Sequence, residues 1–315
     1  MPQDETALYL VTGGAGFIGS HLVEALLTEG QRVRVIDDLS TGRIANIEPF
    51  LEKIDFREAS LLDLGAVHSA MQGVEYVLHQ AALSSVPRSV RDPLPTNRVN
   101  VEGTLNVLSA SRDAKVRRLV YASSSSVYGD PPVAQKTETL PPMPFSPYAV
   151  SKLAAEQYCQ VFHRVYGLET VCLRYFNVFG PRQDPQSEYA AVVPRFATAL
   201  LEGRRPVIYG DGEQSRDFTY VSNVVVANLL ALRADGAAGE VFNIAGGERI
   251  TVNELAAILA QLTNRALEPV HEPKRAGDVE HSLADISKAG RILRYVPGVR
   301  VRDGLARAVV WYSPR

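Results

Sequence analysis

The chain has 315 residues, of which 46% are hydrophobic and 22% are charged, and its formal net charge is −2. That length is enough for a large core in one big or two moderate domains. The near-neutral charge leaves no electrostatic footprint for nucleic acid or for an anionic membrane surface, so we expect neither as a partner.

The two cysteines, Cys159 and Cys172, both lie in apolar patterns. This favours buried thiols over a disulfide and predicts a cytoplasmic protein. The six histidines show no ligand spacing, so we predict no metal site. We expect no signal peptide, and no apolar run reaches the roughly 18 residues that a membrane helix needs.

The first motif is a strand, a glycine turn and a helix. Residues 7–11 form a continuous apolar run that predicts a buried parallel strand, and residues 20–29 predict an amphipathic helix that stops at Gly30. Between them lies a G-x-x-G-x-x-G turn. In a dinucleotide-binding fold such glycines allow a tight turn, and the pyrophosphate lies on the helix N-terminus. The predicted cofactor contacts here are Gly13, Gly16, Phe17, Ile18 and Gly19.

The second strand, residues 32–36, ends at Asp37 and Asp38. This places a carboxylate where the ribose hydroxyls of the adenosine should lie. Because a carboxylate repels a 2′-phosphate, the pattern favours NAD over NADP, although the nearby Arg43 leaves NADP open. The following loop is expected to complete this part of the site with Ser40, Thr41 and Gly42.

The alternation of strands and helices then continues. Strands are predicted at residues 55–59, 76–80 and 118–122, and a long helix at residues 96–114. Repeated βα units without an internal sequence repeat predict a doubly wound parallel sheet, and ligands of such sheets bind beyond the carboxyl ends of the strands. Strand ends therefore supply further cofactor candidates, which are Asp63 and Leu64 for the adenine and the small residues Ala81 and Ala82 along the cofactor.

Four serines, residues 123–126, follow the fifth strand, and a proline-rich excursion leads to a helix that contains Tyr148 and Lys152. Four residues apart on a helix, this tyrosine and lysine share one face. An ammonium group beside a phenol favours the phenolate and lowers its pKa, so that the tyrosine can act as a base. A Tyr-x-x-x-Lys pair that stands alone is usually an exposed helical pair. In this chain the pair follows a glycine turn and a serine-rich strand end of the same predicted fold, and this combination predicts a catalytic site.

These motifs together resemble those of the extended short-chain dehydrogenases/reductases, in particular the nucleotide-sugar 4-epimerases. The matching segments are T-G-G-A-G-F-I-G (12–19), N-V-E-G-T (100–104), S-S-S-V-Y-G (124–129), Tyr148-x-x-x-Lys152 and R-Y-F-N-V-F-G-P (174–181). The resemblance extends from about residue 7 to the C-terminus. It implies a Rossmann-type α/β fold with a smaller C-terminal α/β substrate lobe.

The resemblance also implies roles for individual residues. Ser124 would hydrogen-bond the reacting sugar oxygen, with Ser125 and Ser126 as helpers. Tyr148 would be the base, and Lys152 would tune its pKa and hold the nicotinamide ribose. The NAD site would be completed by Asp63, Leu64, Gln80, Ala81, Ala82, Asn100 and Tyr175. The chain departs from the pattern at Ser84, where galactose-pathway epimerases often carry a lysine.

After a sixth strand at residues 169–176 the alternation loosens. Residues 189–201 predict a helix, and residues 206–209 and 240–245 predict strands. We therefore expect an NAD-binding domain at residues 1–177 and a UDP-sugar-binding lobe at residues 178–315. Segments near residues 215–245 are expected to return to the first domain.

Two arginine motifs, residues 210–217 and 275–278, resemble the UDP-binding signatures of the family. Either arginine alone would be read as a surface residue. The resemblance makes Arg216 and Arg275 the phosphate ligands, a role that suits the guanidinium fork. The remaining substrate contacts that it implies are Ser84, Ser124, Tyr148, Asn177, Val192, Tyr209, Asp278 and Ser282.

Ser282 bears on substrate choice. Epimerases restricted to UDP-glucose and UDP-galactose typically carry a tyrosine four positions after the residue that matches Asp278, and a serine there leaves room for a 2-acetamido group. Segments 182–185 and 189–193 also resemble the N-acetylhexosamine epimerases. We therefore expect interconversion of UDP-N-acetylglucosamine and UDP-N-acetylgalactosamine through a 4-keto intermediate, with the unacetylated pair left open.

Several alternatives stay open from the sequence. One is an epimerase of UDP-glucose only, and another is a UDP-uronate or pentose epimerase. A uronate epimerase or decarboxylase would need a cation for the sugar carboxylate, and no residue is assigned to that role. Dehydratases of this fold usually carry an Asp-Glu pair where Ser125 and Ser126 stand. A protein of another class would be a non-catalytic NAD-binding sensor. The resemblance finally implies a homodimer formed by the helices at residues 96–114 and 147–166.

Overall fold

The computed structural model of the protein describes residues 7–186, 191–266, 268–274 and 279–313. Its centre is a seven-stranded, fully parallel sheet with the strand order β11-β6-β5-β4-β1-β2-β3. The predicted doubly wound parallel sheet is therefore confirmed. The strands of this sheet are β1 (Leu8–Thr12), β2 (Arg32–Asp37), β3 (Ile54–Glu58), β4 (Tyr76–His79), β5 (Arg118–Ser124), β6 (Glu169–Tyr175) and β11 (Val241–Ile244).

Helices cover both faces of this sheet, because successive strand residues point to opposite sides. The helices are α1 (Phe17–Thr28), α2 (Leu64–Met71), α3 (Val86–Arg91), α4 (Pro93–Asn97), α5 (Gly103–Asp113), α6 (Pro147–Tyr166), α7 (Val192–Leu201), α8 (Val221–Arg233), α9 (Val252–Leu262), α10 (Ser287–Ile292) and α11 (Val301–Tyr312). One face packs Val11 and Val120 against α1 and α8, and the other packs Leu10 and Leu119 against α2, α5 and α6.

Two helix boundaries differ from those predicted. The first helix begins at Phe17 rather than at residue 20, because Gly16 already stands at its N-cap position. The predicted helix at residues 96–114 is instead α4, a π-helical turn at Arg98–Glu102 and α5. It begins early because Asp92 caps α4 and Pro93 occupies its first turn.

The catalytic helix α6 has well-defined ends. Ser146 is its N-cap, with the hydroxyl accepting from the backbone N–H of Ala149 at 3.2 Å, and Pro147 stands in the first turn. Gly167 ends it in the left-handed conformation, at φ +72°. These signals explain why the sequence located this helix correctly.

Much of the C-terminal half forms a smaller lobe, while β11 and α8 belong to the central sheet and its cover. Among the described residues of this half, short ribbons pair β7 (Val178–Phe179) with β10 (Thr219–Tyr220), β9 (Ser215–Asp217) with β12 (Arg249–Thr251), and β8 (Val207–Tyr209) with β13 (Val270–Glu272). Helices α7, α9 and α11 pack around a second core that includes Phe196, Leu255 and Leu305. The predicted helix at residues 189–201 begins at Val192, and its first two residues lie outside the described residues.

Within the described ranges, no helix is long and apolar enough to cross a membrane, and no group of three or more His, Cys, Asp or Glu side chains could hold a metal ion. Both cysteines are buried free thiols, as predicted.

Candidate active site

A cavity of about 640 Å³ opens beyond the carboxyl ends of the sheet strands. It lies where the strand order reverses between β1 and β4, the usual ligand site of a doubly wound sheet. Most of the predicted cofactor residues line this cavity together with Tyr148 and Lys152. The predicted residues that line the cavity are Gly13, Gly16, Phe17, Ile18, Gly19, Asp37, Asp38, Ser40, Thr41, Gly42, Gln80, Ala81, Ala82, Ser84, Tyr148, Lys152 and Tyr175.

The glycine turn leaves no room for side chains. A Cβ added at Gly13, which has a φ of +67°, would lie 2.7 Å from the backbone of Ala81. A Cβ added at Gly19 would lie 2.1 Å from the carbonyl oxygen of Gly13. The first turn of α1 lines the cavity directly after Gly16, so its free N–H groups and the helix dipole suit the pyrophosphate of a dinucleotide.

Two carboxylates organise the loop after β2. Asp37, only 8% exposed, accepts from the backbone N–H groups of Ala15 and Leu39, both at 2.9 Å, and burial raises its pKa. Asp38 accepts from the backbone N–H of Ser40 at 3.0 Å and from its hydroxyl at 2.5 Å. Carboxylate oxygens have further lone pairs, so both can still accept from ribose hydroxyls.

From the sequence, Arg43 kept NADP possible as the cofactor. In the structure this arginine pairs with an acidic residue on the opposite side of the cavity. Its Nη2 lies 2.5 Å from Oδ2 of Asp184, and both residues line the cavity. The guanidinium is thus paired with a carboxylate of the chain itself, while Asp37 and Asp38 keep the ribose end acidic. This arrangement favours NAD.

At the adenine end, two predicted contacts lie outside the cavity wall. Asp63 is the N-cap of α2, where its Oδ1 accepts from the backbone N–H of Ala66 at 3.0 Å, and Leu64 is 46% exposed. Neither lines the cavity, and β3 ends before both of them, at Glu58. The cavity wall is formed instead by Ser60 and Leu61, which the sequence analysis missed.

Asn100 supports the cavity wall and does not line it. Its Oδ1 accepts from the backbone N–H of Leu83 at 2.8 Å, and its Nδ2 donates to the carbonyl of Leu83 and to the hydroxyl of Ser151. Asn100 lies in the π-helical turn and is 1% exposed. It therefore fixes the loop after β4 to α6.

Tyr175 and Gln80 share a polar partner that the sequence did not reveal. The Tyr175 hydroxyl lies 2.8 Å from Nδ2 of Asn228 and 3.2 Å from Nε2 of Gln80. Asn228 is a fully buried residue of α8. In the sequence, only an asparagine within the apolar pattern of this helix pointed to a buried polar contact.

The serine turn meets the catalytic tyrosine at the end of β5. Ser124 is 9% exposed, and its hydroxyl lies 3.1 Å from that of Ser126 and accepts from the Ser126 backbone N–H at 3.2 Å. Ser125 and Ser126 begin a 3₁₀ turn, Ser125–Tyr128. The Ser124 side chain also lies near the Tyr148 phenol and lowers its pKa. A hydroxyl and a phenol thus converge on one point.

The expected role of Lys152 in lowering the pKa of Tyr148 needs correction. Burial dominates and raises the pKa of Tyr148, and Ser124, not Lys152, opposes it. Lys152 donates instead to the carbonyl oxygen of Ala122 at 2.8 Å, with its ammonium 5.1 Å from the centre of the Tyr121 ring. Burial lowers the pKa of Lys152 to about 7.

The predicted substrate residues lie mostly on the C-terminal lobe. Arg216 of β9 donates from Nη1 to the carbonyls of Ser215 and Glu280, at 2.9 and 3.2 Å. Asn177 donates from its amide to the carbonyl of Asp217 at 3.0 Å. Val192 begins α7, Tyr209 ends β8, and Ser84 is exposed beside the cavity. The predicted Arg275 and Asp278 lie outside the described residues.

Ser282 lies directly beside the strand that carries Arg216. Its backbone N–H donates to the carbonyl of Ser215 at 3.0 Å, and its side chain is 6% exposed. The structure therefore brings the predicted specificity residue next to a predicted phosphate ligand.

Asp217 is a further polar residue that the sequence analysis missed. It is fully buried and accepts from the backbone N–H of Gly246 at 2.9 Å and of Ala284 at 3.2 Å. Burial raises its pKa to about 7. This carboxyl joins β9 to the segment that carries Ser282.

Comparison with known proteins agrees with this site. Residues 9–245 match the NAD dependent epimerase/dehydratase family. The chain belongs to this family, and its cofactor is NAD. A UDP-glucose 4-epimerase from Mycolicibacterium smegmatis is 40% identical over 309 residues, which cover 96% of this chain and 97% of that protein.

Two solved structures of epimerases have the same fold as this family member. The UDP-N-acetylglucosamine 4-epimerase from Methanobrevibacter ruminantium, in complex with UDP-N-acetylmuramic acid, is 41% identical with a TM-score of 0.93, over 98% of each chain. The Thermus thermophilus UDP-glucose 4-epimerase, in complex with NAD, is 39% identical with a TM-score of 0.89, over 97% of this chain and 98% of that one. Relatives named for either sugar thus resemble this chain to a similar degree.

Proposed function

We propose that the protein interconverts UDP-N-acetylglucosamine and UDP-N-acetylgalactosamine by NAD-dependent epimerisation at C4. The observation that carries the choice of sugar is Ser282, a small, buried side chain beside the strand of Arg216. A serine leaves space for a 2-acetamido group in a position where a tyrosine ring would clash with it. Unacetylated UDP-hexoses fit the same space and are secondary substrates in this proposal.

The chemistry follows from the paired hydroxyls. Tyr148, as phenolate, takes the proton of the sugar 4-hydroxyl, and the hydroxyl of Ser124 holds the same oxygen. The chemistry that bound NAD supplies is reversible hydride transfer at C4, which leaves a 4-keto sugar. The keto sugar then turns over in the pocket, C4 receives the hydride back on its other face, and Tyr148 returns the proton to the oxygen, so the configuration at C4 is inverted.

Lys152 has one task in this proposal. Its ammonium holds the nicotinamide ribose, from a position one turn after Tyr148 on the same face of α6. The positive charge of an oxidised nicotinamide ring would favour the phenolate of Tyr148 and so oppose the burial that raises its pKa.

In this proposal, the two parts of the chain bind different ligands. We propose that residues 1–177 bind NAD and that residues 178–315 bind the UDP-sugar, with Arg216 and Arg275 on the phosphates. Asn177, Val192 and Tyr209 line the uridine side, and Asp278 accepts from its ribose. Tight anchoring of UDP and loose holding of the sugar allow the keto intermediate to turn without leaving.

The same proposal includes a homodimer. On α6, Val161 and Val165 stay 44% and 65% exposed on the helix that the family resemblance assigns to the subunit interface. Light scattering at micromolar concentration should give twice the mass of one chain. A monomer at that concentration would contradict the homodimer.

The deciding experiment supplies each sugar separately to purified protein without added NAD. We expect UDP-N-acetylglucosamine to be converted at least as fast as UDP-glucose, with retained cofactor sufficient for turnover. Failure to convert the acetamido sugar, with UDP-glucose still converted, would overturn the assignment from Ser282. Failure with every UDP-sugar, with NAD retained, would favour a non-catalytic NAD-binding sensor.

A second candidate substrate class rests on Arg88. This residue of α3 lines the cavity beside Ser84, so the chamber that contains Tyr148 also contains a cation. A UDP-hexuronate would place its 6-carboxylate within reach of such a group. UDP-glucuronate therefore belongs in the same assay, and its conversion at a higher rate than both hexoses would establish this alternative.

A further inference from the structure

A row of buried polar side chains crosses the sheet one residue before the catalytic serine. Ser123 of β5, Arg174 of β6 and Asn243 of β11 lie directly opposite one another in the strand register. They are 3%, 3% and 0% exposed. Central strands of a parallel sheet are normally apolar, so polar groups at this level require specific partners.

Glu156 links this row to the catalytic helix. It stands one turn after Lys152 and two turns after Tyr148 on the same face of α6, and it is fully buried. Its Oε2 accepts from the Ser123 hydroxyl at 2.7 Å and from Nε of Arg174 at 3.0 Å. Its Oε1 accepts from Nη2 of Arg174 at 2.6 Å. One carboxylate therefore fixes α6 to two adjacent strands.

Tyr128 links the row to the serine turn. Its ring centre lies 4.6 Å from Cζ of Arg174, and its hydroxyl donates to Oδ1 of Asn243 at 2.7 Å. Tyr128 ends the 3₁₀ turn that begins at Ser125. Because Ser123 precedes Ser124 and Tyr128 closes the turn, the network fixes the chain on both sides of the catalytic hydroxyl.

Stability alone does not account for this arrangement. A buried ion pair loses about as much in desolvation as it gains in attraction, and apolar residues of similar volume often stabilise a core equally well. What an apolar core cannot supply is a directional link between a helix and two strands. The directional link is placed where Tyr148 of the helix must meet Ser124 of the strand.

We propose that Glu156 and Arg174 are positioning residues of the reaction, which hold the Ser124 hydroxyl at its working distance from Tyr148. Neither lines the cavity, so neither contacts cofactor or substrate directly. They act through Ser123 on the strand end and through Tyr128 on the serine turn. The inference rests on the proposed roles of Ser124 and Tyr148.

Two variants test the proposal, Ser123→Ala and Glu156→Gln, with Thr170→Val as a matched control. The hydroxyl of Thr170 donates to the carbonyl of Cys159 at 2.7 Å, so it also joins α6 to the sheet through a buried hydrogen bond. It does so at the opposite end of β6, away from the cavity. The control thus removes a comparable contact without disturbing the serine turn.

Each protein is assayed with the UDP-sugar that the wild type converts fastest, and its bound NAD and Tm are measured. We expect kcat to fall roughly 10- to 100-fold in Ser123→Ala and Glu156→Gln, because a catalytic group displaced by about 1 Å can cost that much. KM and bound NAD should stay unchanged in Glu156→Gln, whose side chain does not line the cavity, whereas Ser123 does line it. Thr170→Val should lower Tm and leave kcat intact.

Wild-type kcat in both variants, with only Tm lowered as in the control, would overturn the positioning role. If Glu156→Gln fails to fold, Ser123→Ala and Tyr128→Phe, each of which removes one hydroxyl, decide the question by the same measurements. If the wild type converts no UDP-sugar, the proposed function fails instead, and the two failures are therefore distinguishable.

Discussion

Arg43 and Asp184 form an ion pair of 2.5 Å that joins the two parts of the chain across the mouth of the cofactor cavity. Two further contacts hold residues 181–184 against helix α1. His21 lies 3.0 Å from the carbonyl oxygen of Pro181, and Arg182 pairs with Glu24. The segment thus closes one side of the cavity. Closure of this kind suits an enzyme whose cofactor must stay bound between two hydride transfers.

Breaking that pair should speed the loss of NAD. Arg43 is 54% exposed in its side chain, so the pair contributes at most about 1 kcal/mol and Asp184→Asn should raise the rate of NAD loss up to about fivefold. The measurement is bound NAD against time after dilution. Glu202→Gln, which breaks the exposed pair with Arg204, is the control and should change nothing. Equal rates in both variants would show that the Arg43 pair does not retain the cofactor.

Tyr148→Phe should reduce turnover by roughly 10²- to 10⁴-fold, the usual contribution of a general base, while UDP-sugar still binds. Turnover and calorimetric UDP binding are the two measurements. Tyr158→Phe is the control, because Tyr158 lies on the same helix and is 37% exposed. A wild-type rate in Tyr148→Phe would refute the assignment of the base.

Gly19→Ala should abolish NAD binding. Its Cβ would lie 2.1 Å from the Gly13 carbonyl oxygen, so the turn would have to open. The matched control is Gly30→Ala, whose Cβ would meet nothing within 4 Å. Gly30 has a φ of +75°, so this control should cost about 1–2 kcal/mol of stability and keep NAD. Full NAD content in purified Gly19→Ala would contradict the glycine-turn assignment.

Ser282→Tyr should discriminate against the acetamido sugar. In the proposed site the ring would occupy the position of the 2-acetamido group, so kcat/KM for UDP-N-acetylglucosamine should fall at least tenfold more than that for UDP-glucose, about 1.4 kcal/mol of discrimination. Ser287→Tyr adds the same ring at an exposed position of α10 and should leave the ratio unchanged. An unchanged ratio in Ser282→Tyr would remove this residue from the specificity site.

Asp217 should make stability depend on pH. Burial raises its pKa from 3.8 to about 7, so the folded state binds the proton more tightly than the unfolded chain does. The resulting stabilisation is present below about pH 4 and is lost as the pH rises through about 7. Asp217→Asn stays neutral throughout but loses one acceptor oxygen. The Tm of the wild type should therefore exceed that of the variant most at pH 4, and the difference should shrink toward pH 7.5.

The control for this prediction is Asp211→Asn, an exposed carboxylate of the same lobe that accepts from the backbone N–H of Glu213. Its Tm difference from the wild type should vary little with pH. A constant difference for Asp217→Asn as well would mean that this buried carboxyl does not titrate between pH 4 and 7.

Local signals account for what the sequence predicted well. The glycine turn was identifiable because Gly13 and Gly19 meet backbone atoms at distances that no side chain tolerates. Helix α6 was identifiable because Ser146, Pro147 and Gly167 mark its ends. Continuous apolar runs located the central strands, since both faces of these strands are buried.

Nonlocal contacts account for what was missed. The lining residues Ser60 and Leu61 were missed because the end of β3 depends on its pairing with β2, where Glu58 lies opposite Asp37. The pKa of Tyr148 was misjudged because burial, which depends on the whole fold, outweighs the neighbouring lysine. The partner of Arg43 lies 141 residues further along the chain, and no spacing rule reaches that far.

The late position of β11 in the sequence affects how the central sheet folds during translation. This strand covers the edge of β6, yet β6 ends at Tyr175 and β11 begins only at Val241, after part of the C-terminal lobe has been translated. An N-terminal fragment that ends near residue 177 therefore exposes an unpaired, apolar strand edge, which is prone to aggregation. The nascent chain must keep this edge protected until residue 244 leaves the ribosome, so the cofactor domain completes its fold only late in translation.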